Sequence, residues 1–167
     1  MKKILTITAL ILIAALALSA CSAGTSRDTV SMYDLREAMS EGAGFGDMTY
    51  VSSSDSDAED KFDYLSDFDY SKVDSFFMYF ASDGSKNADE LAVIAVKDER
   101  YAAEAKASLE KHLEYRKSLY RTYCPEELPK LEGAKVTVSG IYAALIVADR
   151  ADSVKASFER FIAGGNG

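Results

Sequence analysis

Glu90-Leu-Ala-Val-Ile-Ala-Val-Lys97 (ELAVIAVK) and the preceding Ser75-Phe-Phe-Met-Tyr-Phe-Ala81 (SFFMYFA) decide the fold. Both are short, rich in β-branched or aromatic residues, and bounded by polar residues, which reads as strand. Neither alternates between apolar and polar. Along the first, Phe76, Met78 and Phe80 point one way and Phe77 and Tyr79 the other. A strand that is apolar on both faces belongs in a sheet covered on both sides. The short polar connection holding Asp83-Gly84 makes the two an antiparallel hairpin. Ile141–Ala148 (IYAALIVA) is a further strand of this kind. Ala134–Val138 instead alternates, with Val136 and Val138 on one face, as an edge strand does, and Ser139-Gly140 marks a tight turn or bulge before the next strand.

The helices follow from spacing. Asp98 leads into the longest, about Glu99–Tyr123, in which Ala102, Ala105, Leu109, Leu113, Tyr120 and Tyr123 fall near one stripe. Cys124-Pro125 stops it, because a residue before proline avoids the helical region. Pro125-Glu-Glu-Leu128 starts a short helical turn. Asp152 is placed to cap a last helix carrying Val154, Phe158, Phe161 and Ile162 inward. Toward the amino terminus, Ser31-Met-Tyr-Asp34 opens a helix through Met39, ended by Gly42, Gly44 and Gly46. Met48–Ser52 reads as a short strand, and Ala58–Leu65 as a short helix capped by Ser56 or Asp57. The order is two helical pieces, then ββα twice. The expected class is α+β, an antiparallel sheet of about four strands with helices packed against it.

The first twenty residues read differently. Lys2 and Lys3 precede an uncharged run from Ile4 to Ala17, about 15 residues and short of the roughly 20 that cross a bilayer. Leu18-Ser19-Ala20-Cys21 then resembles the lipobox of bacterial lipoproteins. The resemblance implies cleavage before Cys21, diacylglycerol on its sulfur, and a protein anchored by lipid on the extracytoplasmic face of the cell membrane. Two or more acyl chains hold stably where one does not. An ordinary secretory signal with a chance cysteine is the alternative. The expected organisation is a signal over 1–20, a lipidated cysteine and polar tether over 21–30, and one α+β domain over 31–164.

Without residues 1–20 the chain holds 17 Lys+Arg against 27 Asp+Glu, a net of −10. Residues 28–90 carry 16 acids and four bases, whereas residues 91–167 carry 11 acids and 12 bases. Such an acidic half argues against nucleic acid as a partner. With Cys21 acylated, Cys124 is the remaining thiol, no intrachain disulfide can form, and Cys124 reads as a small buried packing residue.

The strand ending Val96-Lys97-Asp98, the long helix ending at Tyr123 before Pro125-Glu126-Glu127, and Gly140-x-Tyr142 before an apolar strand stand in an order that, with the lipobox, resembles a family. It is a family of small lipoproteins of Gram-positive bacteria catalogued as a domain of unknown function. The resemblance runs from about Phe62 to Ile162. It implies a surface lipoprotein and transfers no catalytic residues. Members commonly place an arginine in the long helix near position 112, where this chain has His112.

No catalytic set, metal set or cofactor motif emerges. His112, the one histidine, reads as a partly exposed structural residue, and Ser108-x-x-Lys111 is a chance match to a nucleophile motif. Asp55-Ser-Asp57-Ala-Glu59-Asp60 opens like a calcium loop but has Asp60 where glycine belongs and Ser66 at the twelfth position. Tyr64, Asp67, Asp69 and Tyr70 form the candidate binding face, for an envelope protein or glycan. The favoured expectation is a non-enzymatic binding module. The alternatives are a hydrolase using carboxylates such as Asp67, Asp69 or Glu90, and a weak divalent-cation binder.

Overall fold

The computed structural model describes residues 30–164. The expected signal over 1–20, Cys21 and nearly all of the tether lie outside the described residues.

Five strands form one antiparallel sheet: β1 (Met48–Ser52), β2 (Val73–Ala81), β3 (Glu90–Val96), β4 (Lys135–Ser139) and β5 (Tyr142–Val147), in the order β1-β2-β3-β5-β4. The count exceeds the expected four because Met48–Ser52 pairs fully with β2, from Met48 opposite Ala81 to Ser52 opposite Phe77. Among the described residues five α-helices accompany it: α1 (Met32–Ser40), α2 (Ala58–Leu65), α3 (Ala102–Tyr123), α4 (Leu128–Glu132) and α5 (Ala151–Ile162).

The register sorts the side chains, since residues paired across antiparallel strands share a face. Phe80, Glu90 and Val147 stand in one row, Met78, Ala92 and Leu145 in the next, and Phe76, Ile94 and Ala143 in a third. Tyr79, Leu91 and Ile146 occupy the opposite face, beside Phe77, Val93 and Ala144. Both faces are covered, as two-sided apolar strands require. α2 and α3 lie on the Phe76–Met78–Phe80 face, where Phe62 meets Phe76 edge-on with ring centroids 5.0 Å apart. α1 lies on the other face and packs against α5. There the Arg36 guanidinium sits 4.8, 5.1 and 5.1 Å from the rings of Tyr33, Tyr50 and Tyr79. Every residue of β3 and β5 is buried.

Local signals are mostly met. The Ser31 hydroxyl accepts from the Asp34 N–H, Cys124-Pro125 ends α3, and Gly140 takes φ +56° in the turn between β4 and β5, a conformation that favours glycine. Three expectations are corrected. Asp152 does not cap α5; Arg150 stands at that position, and Asp152 lies in the first turn, 3.0 Å from Lys135. Tyr123 is not on the inner stripe of α3 but 79% exposed, whereas Tyr120 and Cys124 on either side of it in the last turn are buried. The long helix begins as one turn of 3-10 helix over Glu99–Tyr101, after Asp98 caps it through the Arg100 N–H.

Candidate functional site

α2 and α3 do not close over the sheet between them. They leave a groove whose inner half is walled by Met78, Phe80, Tyr115 and Leu119 and encloses about 260 Å³. Its outer half, of similar volume, runs past Asp63, Ser66, Asp67 and Lys111. Tyr64, His112 and Tyr115 line both halves, so the two adjoin at these side chains. Tyr64 of α2 is 82% exposed and Tyr115 of α3 is 62% exposed, far above the other rings of this face.

A buried charge forms the floor. Glu90 opens β3, at 4% exposure, and its row on the sheet points at α3. His112 and Arg116 lie one helical turn apart and therefore reach it together. Glu90 accepts from His112 Nε2 at 3.0 Å and from Arg116 Nη1, which also donates to the Ala88 carbonyl at 3.1 Å. Arg116 Nη2 donates to the Tyr120 hydroxyl at 3.2 Å, and that hydroxyl lies 2.7 Å from the Gly84 carbonyl. Burial pushes the Glu90 carboxyl up; the Arg116 guanidinium and His112 more than reverse it and hold it at about 2. Near neutral pH Glu90 is thus a fixed anion, too weak a base and too strong an acid for proton transfer.

That depression makes stability depend on pH. The carboxylate favours the folded state at every pH above its ordinary value of 4.5, and the contribution is lost as pH falls toward about 2. Its size is about 3 kcal/mol. Urea midpoints measured from pH 6 down to 2 should fall along this limb (roughly the window set by those two values), and Glu90→Gln should flatten it. An unchanged limb in Glu90→Gln would remove the assignment.

A second network holds the loop before β3. Lys130 of α4 lies 2.9 Å from Asp89 and 2.8 Å from Glu127, and Glu127 accepts from the Ala88 N–H at 2.9 Å. Burial works against the Lys130 charge, but hydrogen bonds to Glu127 and Asp89 outweigh it and raise its pKa. Together the networks tie residues 84–90 to α3 and α4.

The residues of the candidate face separate. Tyr64 and Asp67 are at the groove, Asp67 paired with Lys111 of α3. Asp69 accepts from the Ser71 N–H and hydroxyl, capping the single turn Tyr70–Lys72, and the serine contacts lower its pKa. Tyr70 packs on Phe62 with centroids 5.3 Å apart. Asp67, Asp69 and Glu90 are each engaged by a different partner: Lys111, Ser71, and Arg116 with His112. In the calcium-like run, Lys61 sits 2.9 Å from Asp57 and 3.5 Å from Asp55, which also accepts from the Ser52 N–H. Among the described residues no group of three or more His, Cys, Asp or Glu is placed to hold a metal ion. Ser108 is buried and bonded to Ser66, while Lys111 turns away to Asp67. Cys124 is buried, and burial raises its thiol pKa.

Arg116 is the residue the sequence reading passed over. A signal existed: His112, Arg116 and Tyr120 recur every fourth residue, a polar stripe beside apolar Leu109 and Leu113.

No curated protein and no solved structure matches the chain. The family described as a domain of unknown function, DUF4358, matches residues 47–148. That span takes in all five strands with α2, α3 and α4, and hence every residue of the groove. The match covers well over half of the chain, which belongs to the DUF4358 family.

Proposed function

We propose that this protein is a lipid-anchored extracytoplasmic binding module. Acyl chains on Cys21 hold it to the outer face of the cell membrane, the polar segment after Cys21 tethers it, and the α2–α3 groove engages an envelope component. The anchor rests on Leu18-Ser19-Ala20-Cys21. The binding role rests on one observation: an open groove bearing two exposed tyrosines, whose deep carboxylate is already paired with Arg116 and hydrogen-bonded to His112. Exposed aromatics around an apolar cleft suit recognition. A carboxylate held at about 2 and paired with Arg116 does not suit general acid or base work.

The test uses full-length protein in detergent, immobilised and exposed to solubilised envelope. A component should be retained and released when Leu119, a half-buried groove residue, is changed to Asp. Equal retention by both proteins would exclude the groove.

A further inference from the structure

The outer edge of β1 is an unfilled place in the sheet's ladder. The Ser82 N–H donates to the Asp47 carbonyl at 3.0 Å and the Ser53 N–H to the Phe76 carbonyl at 3.1 Å, so Asp47 and Ser53 turn their backbone groups toward β2. Backbone groups alternate along a strand. Thr49 and Val51 therefore turn the same way, and Met48, Tyr50 and Ser52 turn outward. Ser52 is taken up locally: its N–H donates to the Asp55 carboxylate at 3.1 Å, and its carbonyl accepts from the Asp55 N–H at 3.0 Å. Among the described residues nothing bonds the N–H or carbonyl of Met48 or Tyr50. Thr49 and Tyr50 are also exposed. The opposite edge strand, β4, carries Lys135, whereas β1 has no lysine, proline or bulge to blunt it.

Two observations select what fits there. Donors and acceptors alternating along an extended backbone are matched by a second extended polypeptide, and glycans and lipids do not present them. The chain around the edge is also of one sign: residues 37–60 hold seven acids and no base. Lys61 engages Asp55 and Asp57, but Glu41, Asp47, Glu59 and Asp60 are exposed and have no basic partner among the described residues. A second copy of the chain would set these acids against their equals. Lysines or arginines on an added strand would be drawn to them.

We infer that β1 takes a cationic extended segment of a partner protein as a further strand of the sheet. The segment bonds to the N–H and carbonyl groups of Met48 and Tyr50, and its basic side chains lie among the surrounding acids. No residue of β1 lines the α2–α3 groove, so this site and the groove stand or fall separately.

Fluorescence anisotropy and amide hydrogen exchange on the full chain, in an uncharged detergent, test this with a labelled heptapeptide of alternating lysine and valine. One control peptide has glutamate for lysine. The other keeps the lysines but is methylated at its backbone nitrogens, which removes the donors. The lysine–valine peptide should bind saturably, more weakly as salt rises, and slow exchange at the Met48 and Tyr50 amides. The Thr49 and Val51 amides, already turned to β2, should change little. Each control should bind at least about tenfold more weakly, the value of one or two lost hydrogen bonds or of reversed charge. Met48→Pro removes one outward N–H at the first residue of β1, where proline is tolerated, and should weaken binding with the urea midpoint unchanged. If that variant unfolds, the methylated peptide decides alone. Equal binding by the methylated peptide would reduce the contact to bare charge and overturn strand addition. Equal binding by the glutamate peptide, or none by the lysine–valine peptide, overturns the cationic partner. Protection of Met48 and Tyr50 that grows with protein concentration and needs no peptide would give the edge to a second copy instead.

Discussion

Arg116→Met is expected to destabilise the domain by about 3–5 kcal/mol, the usual cost of removing one partner from a buried ion pair. Glu90 would remain buried at 4% exposure with only His112 beside it. The Ala88 carbonyl and the Tyr120 hydroxyl would each lose a donor. For a domain of this size the melting temperature should drop by roughly 10 °C or more. The double variant Glu90→Met/Arg116→Met should recover most of the loss, because replacing a buried pair with apolar side chains is near neutral. A single variant within 1 kcal/mol of the parent (about the value of an exposed pair) would show that the pair is solvated and that the groove floor is misassigned.

Cys21→Ala carries the second large effect, on attachment instead of stability. The parent protein should stay with membranes through a high-salt wash, leave them only in detergent, and incorporate labelled fatty acid in growing cells. Each buried methylene of an acyl chain contributes about 0.8 kcal/mol, so two chains resist washing where an electrostatic contact does not. The variant should incorporate no label. Labelled fatty acid in Cys21→Ala, or release of the parent by salt alone, would contradict the anchor.

The elements legible from sequence share a feature: their signals are local. β2, β3 and β5 are apolar on both faces, and a run such as Phe76–Phe80 has no amphipathic alternative. The end of α3 is written in Cys124-Pro125, and the turn into β5 in Ser139-Gly140. What escaped was pairing at long range. The position of β5 between β3 and β4 joins residues about fifty apart, as in Glu90 opposite Val147, and nothing in either stretch names its partner. β1 has only Val51 and Ser52 buried, so its composition understated a full set of pairings with β2.

The site was half legible for the same reason. Tyr64 and Asp67 were singled out as aromatics beside acids, and the groove runs past both. Asp69 and Tyr70 looked identical in sequence yet serve a local cap and the core, since a shift of a few residues after α2 turns the chain back toward the sheet. Glu90 was noticed as a carboxylate, but its meaning depends on Arg116, 26 residues away. Periodicity places such residues on a helix face; only the packing of α3 on the sheet decides which face meets Glu90.

The most direct measurement is the mass of the amino-terminal peptide of the protein isolated from its own cells. The account predicts a chain starting at Cys21 with diacylglycerol in thioether linkage to its sulfur. A peptide that still contains Met1, or a Cys21 carrying a free thiol, would contradict it.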